Sequence, residues 1–234
     1  MSQTKKTLSL EEAVTALKAM ANPVELEKQS RFGIRGENRL GVTLPQMQAI
    51  SKGVCDHALA LQLWQTGIHE ARIMAGMVDD PALVTREQME TWAKDFDSWD
   101  VTDLVCGGLL DASPYAFECA LEWPHRPEEF IRRAGFVLMC GMAVHNKAMH
   151  DTDFEPFFPL MIQYATDDRN FVKKAVNWAL RQVGKRNRAL CLRAIAVAEE
   201  IRSLNTPTAR WIASDAIREL TGKLEKPPRS WAKG

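Results

Sequence analysis

Two residues near the middle of the chain, Trp99 and Asp103, have types and a spacing that suit the stabilisation of a developing carbocation. They are four residues apart at the start of a predicted helix, so both side chains project to the same side. A carboxylate beside an indole could stabilise a carbocation as it develops in a reaction. For Asp100, between them, the helix dipole is a sufficient structural reason. The structural alternative for Asp103 is an ion pair with an arginine, for example Arg133.

A second candidate surface lies in the segment 171–186. Apolar residues at near-helical spacing predict that one side of this helix is buried. Lys174, Trp178 and Arg181 stand at positions i, i+4 and i+7, so they share another side. A large aromatic between two cations suits an anionic partner with flat or apolar parts, such as nucleic acid. In the alternative interpretation, Trp178 is a core residue and the cations only solvate the helix.

The distribution of charge decides how such a partner could be bound. Thirty Lys and Arg residues balance thirty Asp and Glu residues, so binding to a polyanion cannot depend on bulk charge. The segment 169–193 nevertheless carries eight Lys or Arg residues and no Asp or Glu, whereas the segment 79–103 is acidic. An anionic partner therefore requires basic residues gathered on one face.

Other features predict a soluble cytoplasmic protein. The five cysteines are scattered and form no Cys-x-x-Cys motif, which fits reduced, mostly buried thiols. The N-terminus leads directly into an amphipathic segment without an apolar signal core. The longest apolar run, residues 134–144, is too short to cross a bilayer. His69-Glu70 lacks the second His of a zinc-binding helix, so no metal site is predicted.

Start and stop signals divide the chain into helices and predict no strand, because no segment alternates convincingly with period two. Ser9 and Glu12 form a capping-box pattern, and Thr85 with Gln88 forms another cap. Trp64, Trp92 and Trp211 fall on apolar faces and are predicted to pack inside the fold. The predicted helices cover approximately residues 9–20, 23–32, 47–54, 57–65, 68–78, 86–96, 99–110, 128–144, 154–165, 171–184, 190–204 and 208–220, with another starting near Pro114.

This order of elements predicts an all-α fold. Paired helices recur about every 35–45 residues, which is typical of a curved array of antiparallel helix pairs, the HEAT or armadillo α-α superhelix. A compact bundle is the structural alternative. We expect residues 1–222 to form a single domain, with the basic helix on its concave surface. Residues 223–234 are predicted to be a disordered tail.

Three motifs occur along the chain in the order Ser98-Trp99-Asp100-Val101-Thr102-Asp103, Ile131-Arg132-Arg133-Ala134 and Phe171-Val172-Lys173-Lys174-Ala175-Val176-Asn177-Trp178-Ala179-Leu180-Arg181. Together they resemble the bacterial DNA alkylation repair enzyme family, the AlkD-like DNA glycosylases built from HEAT-like repeats. The resemblance covers about residues 24–220. It implies a monofunctional glycosylase that hydrolyses the N-glycosidic bond of N3-methyladenine and N7-methylguanine in duplex DNA, without a metal, nucleotide or other cofactor.

The resemblance also implies roles for individual residues. Trp99 corresponds to the Trp of the family's Trp-Asp-x-x-Asp motif, Asp103 to its catalytic Asp, and Trp178 to a second tryptophan of the site. Arg133 corresponds to an arginine that contacts the DNA near the lesion. The residues expected to bind DNA phosphates are Arg133, Lys173, Lys174, Arg181 and Lys185.

Two alternatives to a glycosylase stay open. One is a non-catalytic binder of damaged or branched DNA, and the other is a helical-repeat scaffold for protein partners. Asp103 together with both tryptophans favours the enzyme over the non-catalytic binder. Retention on duplex DNA that weakens steeply with salt would separate either DNA-binding function from the scaffold.

Overall fold

The computed structural model of the protein describes residues 6–36, 38–229 and 231. Its internal contacts divide the chain into two compact units, Met1–Tyr115 and Ala116–Gly234. Across the described residues every regular element is a helix and none is a strand. This confirms the predicted all-α class, whereas the single domain over residues 1–222 stays a prediction.

The first unit is built around its fifth helix, α5, which packs against α1, α3, α4 and α7. Most residues of α5 are buried. A Cβ on Gly76 of α5 would lie 3.3 Å from the Cα of Val105 on α7, so the absence of a side chain lets these two helices approach closely. The helices of this unit are α1 (Leu10–Ala19), α2 (Pro23–Arg31), α3 (Leu44–Ser51), α4 (His57–Gln65), α5 (His69–Val78), α6 (Arg86–Lys94) and α7 (Trp99–Gly108), with a 3₁₀ turn at Leu110–Ala112.

The second unit is built around the helix α11, which contacts α9, α10, α12 and α13. A Cβ on Gly184, the last residue of α11, would lie 2.9 Å from side-chain atoms of Ala194 and Leu220. Glycine therefore lets the end of α11 sit against both following helices. The helices of this unit are α8 (Ala116–Glu122), α9 (Glu129–His145), α10 (Phe157–Gln163), α11 (Asn170–Gly184), α12 (Arg188–Ser203) and α13 (Pro207–Glu225), with 3₁₀ turns at Trp123–His125 and Asp151–Phe154.

Two predicted helix starts are confirmed by their capping hydrogen bonds. The Ser9 hydroxyl accepts from the backbone N–H of Glu12 at 3.2 Å, and the Glu12 carboxylate accepts from the backbone N–H of Ser9 at 2.8 Å. The Thr85 hydroxyl accepts from the backbone N–H of Gln88 at 3.1 Å. These bonds satisfy amides that a helix start otherwise leaves without partners.

Two of the three tryptophans predicted to pack are buried. The rings of Trp64 and Trp92 stack with their centroids 4.0 Å apart. The prediction is wrong for Trp211, which is 43% exposed on α13. Its neighbours Ala209, Ile212 and Ala213 bury the apolar side of that helix instead.

The last helix continues past its predicted end at residue 220. Gly222 accepts a hydrogen bond from the backbone N–H of Lys226 at 3.1 Å, so the helical pattern passes through this glycine and α13 ends at Glu225. Residues 223–225 are therefore helical and not part of a disordered tail. The indole Nε1 of Trp231 donates to the carbonyl oxygen of Lys185 at 2.9 Å. Ser230 and residues 232–234 of the predicted tail lie outside the described residues.

The structure also shows where the cysteines lie, how apolar the helices are and whether possible metal ligands cluster. Four of the five cysteines are buried, as predicted, and Cys55 is exposed. Within the described part of the chain, no helix combines the length and the apolar character needed to cross a membrane. The same residues contain no group of three or more His, Cys, Asp or Glu side chains arranged to hold a metal ion.

Candidate functional site

The predicted pair Trp99 and Asp103 lines one cavity of about 290 Å³ in the first unit. Both side chains are half-buried. The indole Nε1 of Trp99 donates a hydrogen bond to the carbonyl oxygen of Phe32 at 3.1 Å, which fixes the ring beside the cavity. The apolar part of the wall consists of Ile34, Val42, Leu44, Met47, Ile73 and Leu104.

A buried polar cluster holds the first turn of α7. The Ser98 hydroxyl donates to Asp100 Oδ1 at 2.5 Å, and His69 Nε2 lies 2.8 Å from Asp100 Oδ2. Burial alone would raise the pKa of Asp100, but the hydrogen bond and charge of His69, together with Ser98, outweigh it and lower this pKa. Asp100 therefore does more than complement the helix dipole, because it joins α7 to α5. Neither of these partners was predicted from the sequence.

Glu70 fixes another part of the cavity wall. Its buried carboxylate accepts hydrogen bonds from the backbone N–H groups of Leu40, Gly41 and Val42 at 3.0, 2.7 and 3.2 Å. Gly41 has a φ of +77°, and a Cβ there would lie 2.3 Å from the carbonyl oxygen of Asn22. Only glycine fits this turn, and Glu70 then holds Val42 against the cavity. Sequence reasoning missed this role, because the only signal was a His-Glu pair at the start of an apolar helix.

Trp178 and Lys174 lie on α11, where their predicted helical phase places them on the less buried side. Trp178 is half-buried and Lys174 is exposed. Neither side chain makes a hydrogen bond or ion pair with another described residue. Trp178 is therefore not a fully buried core residue, and Lys174 is accessible to an anionic partner.

Arg181 and Lys185 lie on the same helix but are already paired with acidic residues of α13. Arg181 contacts the carboxylates of Glu219 and, at 3.4 Å, Asp215. Lys185 lies 3.0 Å from Glu219. Burial alone would raise the pKa of Glu219, but Lys185 and Arg181 outweigh it and lower this pKa. These two predicted phosphate ligands are thus held in internal ion pairs.

Lys173 projects towards α13 and lies over an exposed aromatic ring. Its Nζ is 5.9 Å from the centroid of the Trp211 ring, within the range of a cation–π contact. Trp211 is 43% exposed and was not predicted as a site residue. Its position on the first turns of α13 depends on helix packing that no local pattern reveals.

Arg133 is placed differently from its expected role. Only 5% of this residue is exposed, and its Nη1 donates to the carbonyl oxygen of Phe171 at 2.5 Å. The Phe171 ring packs against Phe130 of α9, with centroids 5.4 Å apart. Arg133 therefore holds the first turn of α11 against α9, and this burial does not favour direct contact with a phosphate.

A carboxylate in the preceding turn completes the support of α11. Asp167 accepts hydrogen bonds from Arg169 Nη2 at 2.6 Å and from Arg132 Nη1 at 2.7 Å. Burial alone would raise the pKa of Asp167, but these hydrogen bonds outweigh it and lower the pKa to about 2. The entry to the helix that carries Trp178 is therefore fixed by charge-assisted bonds.

The predicted site residues fall in both units. Trp99 and Asp103 belong to the first, whereas Trp178 and the predicted DNA-binding residues belong to the second. Within the first unit the structure brings the predicted carboxylate and indole to one cavity. Within the second unit, Trp178 and Lys174 are accessible, whereas Arg181 and Lys185 are paired with carboxylates of α13.

Comparison with solved structures assigns the fold to the HEAT-like repeat class. The chain is similar to a structure described as "a new family of proteins related to the HEAT-like repeat DNA glycosylases with affinity for branched DNA structures". The TM-score is 0.79 and the identity 18%, over 96% of this chain and 97% of the other. The predicted HEAT-like architecture is thereby confirmed.

The chain belongs to the family of DNA alkylation repair enzymes. Its family model matches residues 13–220, which is most of the sequence. This confirms the family that the three motifs indicated. No curated protein matches the sequence.

Proposed function

We propose that this protein is a DNA glycosylase that excises cationic alkylated purines, N3-methyladenine and N7-methylguanine, from duplex DNA. The observation that carries this proposal is the joint placement of Trp99 and Asp103 on one cavity whose wall is fixed by buried hydrogen bonds. Membership in the DNA alkylation repair family supports it. The reaction is hydrolysis of the N-glycosidic bond.

The chemistry requires few protein groups. An N3- or N7-alkylated purine already carries positive charge, so it leaves with the bonding electron pair and needs no general acid. The sugar gains oxocarbenium character, which the ionised Asp103 carboxylate stabilises. Water then adds to the sugar carbon and gives up a proton, and Asp103 is the base placed to accept it. The face of Trp99 would contact the sugar, and the face of Trp178 on the second unit is proposed to contact the DNA.

The residues proposed to hold the DNA backbone are those on the accessible side of α11. Lys174 is the primary candidate because it is exposed, and Lys173 lies beside it over Trp211. Arg181 and Lys185 can contribute only by exchanging their carboxylate partners for phosphates. Few phosphate contacts are then made, so the affinity should depend only moderately on salt.

The decisive experiment measures release of methylated purines from alkylated genomic DNA by the wild type and by Asp103→Asn. We expect the variant to fold, to bind DNA as well as or better than the wild type, and to excise about 10²-fold more slowly. Spontaneous loss of the labile cationic base keeps the measurable effect near that lower limit. Glu11→Gln, an exposed carboxylate change on α1, is the matched control and should excise normally.

The outcomes separate the alternatives. Equal excision by the wild type and Asp103→Asn, both above the rate without enzyme, would remove Asp103 from the mechanism. A second function, binding of branched DNA without excision, is favoured by the structural relative described as having that affinity. Tight binding to a four-way junction with no release of methylated bases by the wild type would establish that second function.

A further inference from the structure

The first unit contains a second cavity, the arginine cleft, with a volume of about 730 Å³. This lies within the roughly 300–1,000 Å³ that is usual for ligand sites. Its described lining includes the three arginines Arg35, Arg39 and Arg72 and one acidic residue, Asp97. The carboxylate of Asp95 lies 3.3 Å from Arg72, so these five groups together give a formal charge of +1. A cleft of this charge in a neutral protein favours an anionic occupant.

Arg39 is held in place by the loop that forms one side of the cleft. Its Nε donates to the carbonyl oxygen of Gly36 at 3.2 Å, and its Nη2 donates to the Ser30 hydroxyl at 3.0 Å. Its Nη1 is buried and has no hydrogen-bond partner among the described residues. A guanidinium fixed in this way keeps one donor for which the protein supplies no acceptor.

Arg72 is held in place from the opposite side. Its Nη1 donates to the carbonyl oxygen of Asp95 at 3.2 Å, and its guanidinium lies 5.4 Å from the centroid of the Trp64 ring. Its Nε is likewise buried without a partner in the described residues. Arg35 is exposed and makes no hydrogen bond or ion pair with any of them. The guanidinium groups of Arg35 and Arg39 therefore keep donors for an anion, whereas Arg72 is ion-paired with Asp95.

Asp97, the carboxylate among the described lining residues of the cleft, lies close to the backbone of Gly36. A Cβ on Gly36 would be 3.3 Å from Asp97 Oδ2, so glycine keeps this side of the cleft open. Burial raises the pKa of Asp97, although the charges of His69 and Arg72 oppose the change. Asp97 would therefore compete with an anion in the cleft, as the Asp95 carboxylate already does at Arg72.

The arginine cleft adjoins the cavity of Trp99 and Asp103. The same loop supplies Ile34 to that cavity and Arg35 to the cleft. The segment that starts α7 supplies Asp97 to the cleft and Trp99 to the cavity, and α5 likewise contributes to both. An anion bound in the cleft would therefore lie next to the sugar on which Asp103 is proposed to act.

We propose that the arginine cleft binds a phosphodiester of duplex DNA adjacent to the excised nucleotide. This inference rests on the proposed function and adds to it a phosphate site on the first unit. The planar, forked donors of arginine match the paired oxygens of a phosphate, and they remain charged at any physiological pH. A site beside the reacting sugar would set the register of the backbone there and not merely add affinity.

The test compares four single variants of the full-length chain in binding a fluorescent duplex between 50 and 200 mM salt. Arg35→Gln and Arg39→Gln should each weaken binding about 3–10-fold and make the dependence of log affinity on log salt shallower by about one. Asp97→Asn should tighten binding by a similar factor, because it removes the competing charge. The control is Arg31→Gln, which makes the same change at an exposed residue that pairs with Glu27 on α2 and does not line the cleft.

The results distinguish this inference from the proposed excision activity. If Arg35→Gln and Arg39→Gln bind like the control while the wild type binds DNA, the cleft does not hold a phosphodiester, and the proposed function is untouched. If both weaken binding while the wild type releases no methylated base, the cleft is supported and excision is not. Failure of the wild type to bind any duplex would overturn both. Binding of poly-glutamate or inorganic phosphate that depends on Arg35, with no effect of Arg35→Gln on DNA, would assign the cleft to another anion and also overturn the inference.

Discussion

Glu70 shows how much one residue can contribute to a site without contacting a substrate. Its carboxylate is buried and accepts backbone N–H groups of the loop that forms the cavity wall, and no cation neutralises it within the described contacts. Hydrogen bonds to an ionised acceptor are stronger than those between neutral groups. The shape of the cavity beside Asp103 therefore depends on a residue of α5.

We expect Glu70→Gln to lower the free energy of unfolding by about 1–3 kcal/mol. The substitution keeps the size of the side chain but replaces one acceptor oxygen with an amide group that faces other donors. Urea unfolding followed by circular dichroism measures the loss, and Glu11→Gln is the control at an exposed position. Unfolding midpoints that coincide for the two variants would mean that the loop is held by other contacts.

The pair Trp99 and Asp103 could be predicted from the sequence, whereas the role of Glu70 could not. The first pair depends only on helical spacing within one turn, so the residues share a side wherever the helix packs. Glu70 instead bonds to residues about thirty positions earlier, and only the path of the loop brings them together. Local patterns contain no information about that path.

At the scale of helices, the contact between α11 and α13 limits the charge that α11 can offer to DNA. Glu219 lies opposite Arg181 and Lys185, and Asp215 accepts a hydrogen bond from the Asn177 amide at 2.8 Å. The helical phase of the cations was predicted correctly. The acidic partners of these cations were not predicted, because they lie about 35–40 residues later in the sequence. They face α11 only because α13 packs against it.

Removal of one of these carboxylates should therefore increase the affinity for DNA. We expect Glu219→Gln to tighten binding to duplex DNA about 3–10-fold and to make its salt dependence steeper, because Arg181 and Lys185 become available to phosphates. Anisotropy titrations at several salt concentrations measure both quantities. Glu199→Gln is the control, since Glu199 pairs only with Arg202 across one turn of α12. An affinity equal to that of the control would show that this stripe does not face the DNA.

Over the whole molecule the net charge is zero, but the charged side chains are unevenly divided between internal ion pairs and accessible sites. Some cations of the basic segment 169–193 form ion pairs with carboxylates of the protein itself, as Arg169 does with Asp167 and Arg193 with Glu155. In the first unit, Arg35, Arg39 and Arg72 are gathered around one cleft although they lie outside the basic segment. The number of basic residues in a segment is therefore a poor guide to where an anion can bind.

The helical class and most helix starts followed from the sequence because they depend on local rules of capping and periodicity. The end of α13 did not, since Gly222 is as compatible with a helix interior as with a stop, and Trp231 returns to contact Lys185. The arginine cleft was also missed, because its side chains come from a loop and from α5 and have no common spacing. Interactions between distant segments account for each of these differences.

Acid should weaken the second unit through Asp167. Hydrogen bonds from Arg169 and Arg132 lower the pKa of this carboxyl from 3.8 to about 2 in the folded state. Because the folded pKa is the lower one, the stabilisation is fully present above the unfolded value near 3.8 and is lost as the pH falls to about 2. We expect Asp167→Asn to be less stable than the wild type by about 1 kcal/mol at pH 7 and to approach it near pH 2. Urea unfolding between pH 7 and 2 measures the difference, with Asp168→Asn as the neighbouring exposed control. A difference between Asp167→Asn and the wild type that stays constant over this range would mean that Asp167 does not supply pH-dependent stability.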